Sequence, residues 1–441
     1  MKAFFETLKN IYKIEDLRKR IFYTLGILLI YRLGSFIVLP GIDPSMLANL
    51  KDQTSEGIMG LLDMFSGGAF SNASVFALGI MPYISASIVV QLLGMAIPYF
   101  QRLQKEGESG RRKINQITRY LTLVILVLQA PTYLANLHAQ LPAEAFALSG
   151  FFFTVSSTII LMAGTMFIMW LGEKITDKGI GNGISLIIMV GIIARLPFAV
   201  TAEFGSRVDE LAGGLVMFLV EIIILFVVFM FSILLVQGTR KIPVQYAKRI
   251  VGNKQYGGVR QYIPLKVNAA GVMPIIFAQA LMFIPMMFAS FNTETTNAIA
   301  AAFADFTGFW YNFVFALLII AFTYFYTAVT INPNQMAEDM KKNGGFIPGV
   351  KPGRKTVEFL DTIMSRIILP GSIFLALIAI LPAFAMMMGV NNQFAQFFGG
   401  TSLLILVGVV LDTLQQIESY LLMRHYDGLM KSGRLKGRTG A

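Results

Sequence analysis

The side chains that most often carry out covalent or metal chemistry are scarce in this sequence. It contains no cysteine, and its two histidines, His138 and His425, are too far apart in the chain to suggest a metal site. A thiol nucleophile, a disulfide framework and a cysteine-based metal site are therefore excluded. We expect neither a metal ion nor a cofactor.

One glycine-rich segment has the composition of a phosphate-binding loop. Residues 179–183 read Gly-Ile-Gly-Asn-Gly, but no Gly-Lys-Ser/Thr sequence follows them, as a nucleotide-binding P-loop would require. We interpret the segment as a flexible loop before a helix. The energy for any work that the protein performs must then come from elsewhere.

Charged side chains are rare inside the apolar runs of the sequence. Arg32, Glu221 and Asp412 are the clearest cases, and Glu173 and Glu418 lie close to the ends of such runs. An ionisable group inside a membrane is costly and normally functional, so a relay of protons or ions is one interpretation. Snorkelling at a helix end, or a single internal ion pair, is the interpretation that we favour for each.

The apolar runs themselves indicate a membrane protein. Hydrophobic residues make up 55% of the 441 residues and charged residues only 14%, far from the balance of a soluble domain. Several runs approach the ~20 residues that a helix needs to cross a bilayer. We therefore predict an all-α integral membrane protein with ten transmembrane helices. They lie near 21–39, 74–98, 117–137, 151–172, 183–201, 212–236, 268–289, 309–330, 367–388 and 401–421.

The basic residues predict how these helices are oriented. All but four of the 36 lysines and arginines fall in the N-terminal tail, in the second, fourth, sixth and eighth connections, and in the C-terminal tail. Short cytoplasmic loops carry such an excess, so we expect both termini to be cytoplasmic. The exceptions are Arg32, Lys51, Arg195 and Arg207. The net charge of +11 thus reflects topology, although the same loops could also meet acidic lipid, a ribosome or an acidic protein surface.

Five segments outside the spans have features of their own. Residues 1–20 carry apolar and basic residues at helical spacing, as an amphipathic helix on the cytoplasmic membrane surface would. The cytoplasmic loops 237–266 and 331–366 are long and rich in turn residues, which suggests docking surfaces. Residues 61–73 form a short segment rich in small residues, which taken alone could be a re-entrant turn or a periplasmic loop, and we favour the loop. Residues 422–441 form a cytoplasmic tail.

A short repeat relates two of the predicted spans. Residues 79–84 read Gly-Ile-Met-Pro-Tyr-Ile and residues 271–276 read Gly-Val-Met-Pro-Ile-Ile. Each lies in the second helix of a five-helix half, and the topology makes the two helices antiparallel. This pattern indicates two inverted pseudo-symmetric halves, 21–205 and 206–421, with the functional site at the interrupted helices. A secondary transporter with an inverted-repeat fold is the alternative, and a membrane-embedded enzyme is a second one, but sparse intramembrane charge weighs against both.

Several segments are specific enough to indicate a family. They are Met-Phe-Ser-Gly-Gly at 64–68 with the run 76–88, Lys-Glu-Gly-Glu-Ser-Gly-Arg-Arg-Lys at 105–113, Trp-Leu-Gly-Glu at 170–173 with 179–185, and Pro-Leu-Lys-Val-Asn at 264–268. In these segments, and over nearly its whole length, the chain resembles the SecY family, the channel subunits of the bacterial Sec protein translocase.

The resemblance implies a pore closed by an apolar ring and by a plug, with a lateral gate between the second and seventh helices. By motif position, the ring comprises Ile80, Ile84, Ile184, Ile188, Ile276 and Val410. The plug falls on 61–73 and includes Leu61, Leu62, Met64, Phe65, Ser66, Gly67, Gly68 and Phe70. Polar groups on the gate helices are Ser85, Gln91 and Asn268. Valine at position 410, where the family often has isoleucine, makes that part of the ring smaller.

The basic loops correspond to the surfaces on which the family docks the SecA motor ATPase or the translating ribosome. The candidate docking residues are Arg240, Lys241, Lys248, Arg249, Lys351 and Arg354. Lysine stands at position 351 where the family pattern usually has arginine, so the charge is kept but the planar bidentate fork is lost. Further partners that the resemblance implies are SecE-like and SecG-like membrane subunits.

The function implied by the resemblance is that of a non-enzymatic channel in the bacterial cytoplasmic (inner) membrane. The signal sequence of a preprotein opens the lateral gate, and the plug moves aside. The unfolded chain then crosses the ring or partitions sideways into the lipid bilayer. A ring of aliphatic side chains suits this task, because it offers a passing polypeptide no fixed hydrogen-bond partner while a narrow dry constriction opposes leakage of water and ions.

Overall fold

A computed structural model describes residues 14–47, 60, 63–146, 150–209, 214–246, 249–251, 254–256, 260–288 and 307–431. Most of the predicted amphipathic segment 1–20 lies outside the described residues, as do the predicted site residues Leu61, Leu62 and Lys248. The last ten residues of the predicted tail, 432–441, also lie outside them.

Helices dominate the described part of the chain. They are α1 (Glu15–Gly34), α2 (Met81–Ala96), α3 (Pro98–Lys105), α4 (Glu108–Gln140), α5 (Phe151–Lys178), α6 (Gly183–Asp209), α7 (Gly214–Gln237), α8 (Met273–Phe288), α9 (Phe309–Thr330), α10 (Pro333–Lys342), α11 (Arg354–Met387), α12 (Asn392–Ala395) and α13 (Gly400–Lys431). Five strands accompany them, namely β1 (Thr239–Tyr246), β2 (Arg249–Val251), β3 (Lys254–Tyr256), β4 (Arg260–Lys266) and β5 (Gly345–Phe346).

A helix lies at each of the ten predicted spans. Within the described residues, seven helices are long and apolar enough to cross a membrane. An eighth span forms if α2 and α3, which are bent by 102° at a short break, are counted together. The helical form follows from the solvent, because in lipid a helix satisfies its own backbone hydrogen-bonding groups.

The second and seventh predicted spans begin later than expected. Their helices start at Met81 and Met273, seven and five residues inside the predicted ranges. In both places a glycine two residues earlier has left-handed backbone, with φ of 55° at Gly79 and 62° at Gly271. Proline then occupies the second helical position, where its missing amide costs nothing. The repeated motif is thus the same helix start used twice, rather than part of a helix interior.

The first predicted span is also displaced. Helix α1 begins at Glu15 and ends at Gly34, whereas the prediction was 21–39. The chain beyond α1 becomes extended and pairs with the residues before α2. The Leu39 amide donates to the Ala73 carbonyl at 2.9 Å, and the Val75 amide donates to the Ile37 carbonyl at 2.9 Å. This pairing fixes one end of the segment predicted to be the plug.

The chain forms two compact units. The first contains Met1–Phe198 and Val409–Ala441, and the second contains Ala199–Gly408. In the first unit, Phe70, Ala73 and Ala77 pack in one hydrophobic cluster with side chains of α4 and α5, such as Tyr133 and Leu161. The helices of this unit therefore build a core around the residues that precede α2.

The second unit contains a small β-sheet that the sequence analysis did not predict. Strand β1 pairs antiparallel with β4 and with β5, in a register that places Ile242 opposite Ile263. Alternate β1 side chains are buried, as one face of a strand requires. The residues that form the core beneath the sheet are Ile242, Val244, Leu265, Met340, Ile347, Leu360, Met364 and Ile368. Parts of the two long loops, 237–266 and 331–366, thus form one folded structure with the start of α11.

Candidate functional site

The segment predicted to be the plug is a compact, turn-rich piece of the first unit. It begins with a helical turn at 63–65 and continues through turns to residue 80. Gly67 and Gly68 have φ of 67° and 90°. Only glycine takes this backbone at little cost, so the two glycines allow the chain to fold back tightly. The other described plug candidates are all buried, namely Met64, Phe65, Ser66 and Phe70.

Side chains from two helices bind the backbone of the predicted plug. The Tyr31 hydroxyl of α1 donates to the Ser66 carbonyl at 3.1 Å, and the Arg32 guanidinium donates to the Gly67 carbonyl. From α4, the Tyr133 hydroxyl donates to the Phe70 carbonyl at 3.0 Å. The Ser66 and Phe70 carbonyls also accept backbone amides of the turns, whereas for the Gly67 carbonyl Arg32 is the partner that the structure gives, and a buried carbonyl without a partner would be costly. The polar tethers therefore hold a segment that has little secondary structure of its own.

One buried carboxylate, that of Asp63, binds groups on both sides of the predicted plug. Asp63 is 1% exposed and forms an ion pair with Arg195 of α6. The same carboxylate accepts a hydrogen bond from the Ser71 amide at 2.8 Å, and Arg195 Nη2 donates to Ser71 Oγ at 3.0 Å. From the sequence, Arg195 was only an exception to the distribution of basic residues. Nothing in its neighbourhood along the chain could have indicated the pairing with Asp63.

The six residues predicted to form the pore ring all lie in the described part of the chain. Their exposure differs, since Ile80 and Ile188 are buried, Ile84, Ile184 and Ile276 are half-buried, and Val410 is exposed. Ile276 belongs to the second unit and the other five belong to the first. The convergence of these six residues into a ring remains a prediction.

The predicted gate residues occupy two kinds of position. Ser85 and Gln91 are half-buried on α2. Asn268 was expected on the seventh spanning helix, but it lies in the turn between β4 and α8. Its side chain is 9% exposed, and its Oδ1 has no hydrogen-bond partner among the described residues. A buried amide oxygen without a partner is an energetic cost that another state of the protein can relieve.

The described docking candidates lie on the folded loop structure of the second unit. Arg240 and Lys241 are exposed on β1, and Lys351 is exposed just before α11. Arg354 begins α11 with a side chain that is 94% exposed. Arg249 belongs to β2. Arg240, Lys241 and Lys351 are therefore exposed on this folded structure, whereas Arg354 pairs with Glu358.

The glycine-rich loop 179–182 is anchored, whereas a flexible loop was expected. The Ile180 amide donates to the Thr24 hydroxyl at 3.1 Å and the Gly181 amide donates to Gln416 Oε1 at 2.8 Å. The Gly183 amide donates to the Thr176 hydroxyl at 2.9 Å. These bonds join the loop to α1, α5 and α13, so it connects helices within the first unit.

A buried charge cluster in the second unit was only partly anticipated. Arg207 Nε donates to Glu203 Oε1 at 2.9 Å, and Arg207 Nη2 donates to Glu221 Oε1 at 2.7 Å. Arg207 Nη2 also donates to the Gly389 carbonyl at 2.8 Å, and the Asn391 amide donates to Glu203 Oε2 at 2.7 Å. The internal ion pair expected for Glu221 is therefore confirmed. The cluster also fixes the connection that follows α11, which the sequence did not indicate.

The other charges singled out from the sequence have simpler surroundings. Arg32 stacks on the Phe36 ring at 4.7 Å in addition to its bond to the plug. Glu173 accepts two hydrogen bonds from Arg119, at 3.1 and 2.6 Å. Asp412 is exposed on α13. In the described residues, no group of three or more histidine, cysteine, aspartate or glutamate side chains could hold a metal ion.

Comparison with known proteins gives a consistent result. The SecY family model matches residues 74–414. The protein translocase subunit SecY of Streptomyces scabiei is 44% identical over 433 residues, covering 95% of this chain and 98% of the relative. Protein translocase subunit SecY of Mycobacterium tuberculosis (strain ATCC 25618 / H37Rv) is 42% identical over 454 residues, covering 98% of this chain and 100% of the relative.

Solved structures share the fold at much lower identity. A structure described as that of a protein conducting channel has a TM-score of 0.60 and 18% identity, covering 91% of this chain and 92% of that one. Sec61 in the canine ribosome-channel complex from the endoplasmic reticulum has a TM-score of 0.55 and 17% identity, with coverage of 91% and 92%. The predicted all-α architecture with ten transmembrane helices is thereby confirmed.

The fold and the relatives together define the class of this protein, that of multi-pass membrane proteins that form a protein-translocation channel. Within that class, the chain belongs to the SecY family of protein translocase subunits.

Proposed function

We propose that this chain is the central subunit of a Sec channel whose pore is sealed by the plug at 61–73 and by the predicted ring. The observation that carries the proposal is the state of the plug segment. It is buried, it lacks regular secondary structure after its first turn, and its backbone carbonyls bind side chains of α1 and α4. A segment held by a few side-chain bonds can leave as a piece without unfolding a helix.

The lateral gate of this channel lies between α2 and α8. Each helix begins at the methionine of a Gly-x-Met-Pro motif, and the glycine of that motif has left-handed backbone. Broken backbone at the start of a helix leaves donors and acceptors that side chains can bind in more than one arrangement. Polar contacts of Ser85 and Gln91 are worth only about 1 kcal/mol each in a membrane, so a signal sequence can replace them. Asn268 Oδ1, which has no partner among the described residues, offers the signal sequence a further group to bind.

The chain itself performs no enzymatic step in this proposal. The preprotein passes through the pore ring, and the plug closes the pore when no preprotein is present. The direction of transport is set by the SecA motor ATPase, by a translating ribosome or by the proton-motive force. The exposed basic residues on β1 and before α11 form the docking surface for the motor or the ribosome. Two solved neighbours support the ribosome as a partner, since their structures are of Sec61 and Ssh1 complexes bound to ribosomes.

The proposed channel also has membrane partners, a class of substrate and a location. SecE-like and SecG-like membrane subunits accompany the chain, and its substrates are preproteins that carry a signal sequence. It resides in the bacterial cytoplasmic (inner) membrane with both termini in the cytoplasm. The distribution of basic residues supports this orientation.

Crosslinking from the ring to a stalled preprotein tests the conduit. Because the chain has no cysteine, a thiol-linked photo-crosslinker can be placed at Ile84→Cys or Ile276→Cys alone. Phe226→Cys, at a position of α7 that is 66% exposed, is the control. We expect capture of the preprotein from positions 84 and 276 and none from 226. Failure of both ring positions to capture a chain in transit would refute the proposed path.

Deletion of 61–73 tests the plug separately. The reconstituted channel should then leak ions in the absence of substrate, because the buried segment no longer fills the pore. An ion leak equal to that of the unaltered channel would show that these residues do not form a plug.

A further inference from the structure

The plug contains a single charged residue, and that residue is completely enclosed. Asp63 is the one ionisable side chain of 61–73, and it is 1% exposed. A carboxylate in such a place is stable only when it is paired and hydrogen-bonded. Its partners are Arg195 and the Ser71 amide. On opening, the plug would leave Arg195 behind on α6 and would carry Ser71 with it.

Two arginines from different helices hold this small segment. Arg195 of α6 binds the Asp63 carboxylate and the Ser71 hydroxyl, and Arg32 of α1 binds the Gly67 carbonyl. The guanidinium of Arg195 also lies against Gly68, since a Cβ built on that glycine would be 3.6 Å from Arg195 Nε and Nη2. The arginines therefore bind the plug at the start, the middle and the end of the stretch 63–71.

We propose that Arg32 and Arg195 form an arginine clamp that keeps the plug closed, with Asp63 as its charged anchor. The inference rests on the proposed function, because it assumes that 61–73 is the plug. The arginines are positioning residues: they act on the plug and do not touch the translocating chain in the closed state.

The chemistry of the clamp suits a closure that must be firm and reversible. Hydrogen bonds in which one partner is charged are roughly twice as strong as neutral ones. The planar guanidinium of Arg195 can bind a carboxylate and a hydroxyl at the same time, which a lysine ammonium does with less directional control. Its side chain is 24% exposed, so water can reach one edge of the ion pair and take over its bonds when the plug leaves.

The clamp also makes the closed state specific. Without the ion pair, the tethers from Tyr31, Arg32 and Tyr133 all bind backbone carbonyls, and other carbonyls of the segment could accept the same bonds. The Asp63 carboxylate can be satisfied only where a cation and an amide meet. A displaced plug therefore returns to one position, in which Asp63 meets Arg195, rather than to several.

The first test measures the substrate-free ion leak of channels reconstituted with their membrane partners. Asp63→Asn is nearly isosteric and removes the charge, and Arg195→Gln removes the cation. We expect each to raise the leak roughly tenfold, which corresponds to a loss of ~1.4 kcal/mol from the closed state. The exchange of charges, Asp63→Arg with Arg195→Asp, should recover most of the seal. Arg119→Gln, which breaks the ion pair with Glu173 elsewhere in the first unit, should leave the leak unchanged.

Two comparisons keep the outcomes distinct. If deletion of 61–73 raises the leak while Asp63→Asn and Arg195→Gln do not, the plug assignment stands and the clamp is refuted. If the deletion itself has no effect, the plug assignment fails and the clamp fails with it. A leak that rises equally for Arg119→Gln would show a general loss of packing and would also refute the clamp.

A double-cysteine variant tests the clamp without placing a new charge at position 63 or 195. Asp63→Cys with Arg195→Cys provides the only two thiols of the chain, which a short reductant-cleavable dithiol crosslinker can join. Before linkage the channel should leak; after linkage the leak should fall to the level of the unaltered channel and preprotein transport should stop. Cleavage of the linker should restore both the leak and transport. Transport that continues at full rate through the linked channel would overturn the clamp, because it would show that position 63 does not have to separate from position 195 when the channel opens.

Discussion

Gly67 of the plug and Gly191 of α6 approach each other backbone to backbone. A Cβ built on Gly67 would lie 2.8 Å from the Cα of Gly191, and one built on Gly191 would lie 3.1 Å from the Phe65 carbonyl oxygen. Real Cβ atoms do not come as close as the first of these distances. The plug therefore fits against α6 only because both positions lack a side chain.

A side chain at either glycine should open the seal. Gly67→Ala meets both the steric contact and a φ of 67°, a backbone that costs a residue other than glycine about 1–2 kcal/mol. Gly191→Val places two methyl groups against the plug while α6 stays helical. We expect both variants to leak ions without substrate, and to transport preproteins with defective signal sequences, in a reconstituted assay.

The matched control for this prediction is Gly26→Ala. A Cβ at Gly26 of α1 would have no atom within 4 Å, and alanine favours a helix over glycine. The leak of this variant should equal that of the unaltered channel. A seal that survives Gly67→Ala would mean that the plug and α6 are not packed as closely in the closed channel.

The buried cluster of Arg207 with Glu203 and Glu221 should dominate the stability of its region. The three side chains are at most 8% exposed, and one guanidinium serves both carboxylates. Arg207→Ala leaves two buried carboxylates without a cation, which should cost about 3–5 kcal/mol of unfolding free energy. The measurement is the midpoint of thermal or denaturant unfolding in detergent.

An exposed ion pair provides the comparison. Lys19 and Glu15 form an i,i+4 pair with side chains that are 71% and 64% exposed. Water already solvates both groups, so Lys19→Ala should leave the midpoint unchanged. If Arg207→Ala shifted the midpoint of unfolding no more than Lys19→Ala does, the cluster would not contribute to the stability of the fold.

Docking of a motor should depend on charge at the start of α11. Arg354 is almost fully exposed, so Arg354→Glu and Lys351→Glu should not disturb folding. Reversing a rim charge slows association and changes its salt dependence. We expect SecA-driven transport to fall about tenfold at low salt and less at high salt. Arg112→Glu, on an exposed side chain of α4, serves as the control, and an equal loss there would assign the effect to net charge alone.

The sequence was sufficient to predict the spanning helices, because they depend on local runs of apolar residues, whereas the symmetry between the two halves stays a prediction. It did not predict the helix starts at Met81 and Met273, since a left-handed glycine is visible only as a backbone angle. The strands of the second unit were missed for another reason. Strand β1 is completed by β5, which lies about one hundred residues further along the chain and is two residues long.

The assignment of 61–73 as the plug comes from the resemblance to the SecY family alone and stays a prediction, and the contacts that hold this segment could not be predicted. Asp63 and Arg195 lie in different parts of the chain, and neither belongs to a motif that pairs them. A buried charge pair of this kind is decided by the packing of α6 against the turns after residue 63. Composition and periodicity report which residues are apolar, and they carry no information about which polar groups meet.

The orphaned amide of Asn268 leads to a prediction about the stringency of the gate. Its Oδ1 is buried and has no partner in the described residues, which costs about 1–3 kcal/mol in this conformation. We take this conformation as the closed gate of the proposed channel. Opening or a passing signal sequence can satisfy this oxygen, so the cost favours opening. Asn268→Leu removes the polar group while keeping the volume, and it should therefore stabilise the closed gate. Transport of preproteins with signal sequences of graded hydrophobicity measures the effect: weak signals should fail first, and strong ones should pass. Unchanged transport across the whole series would mean that Asn268 has no part in gating.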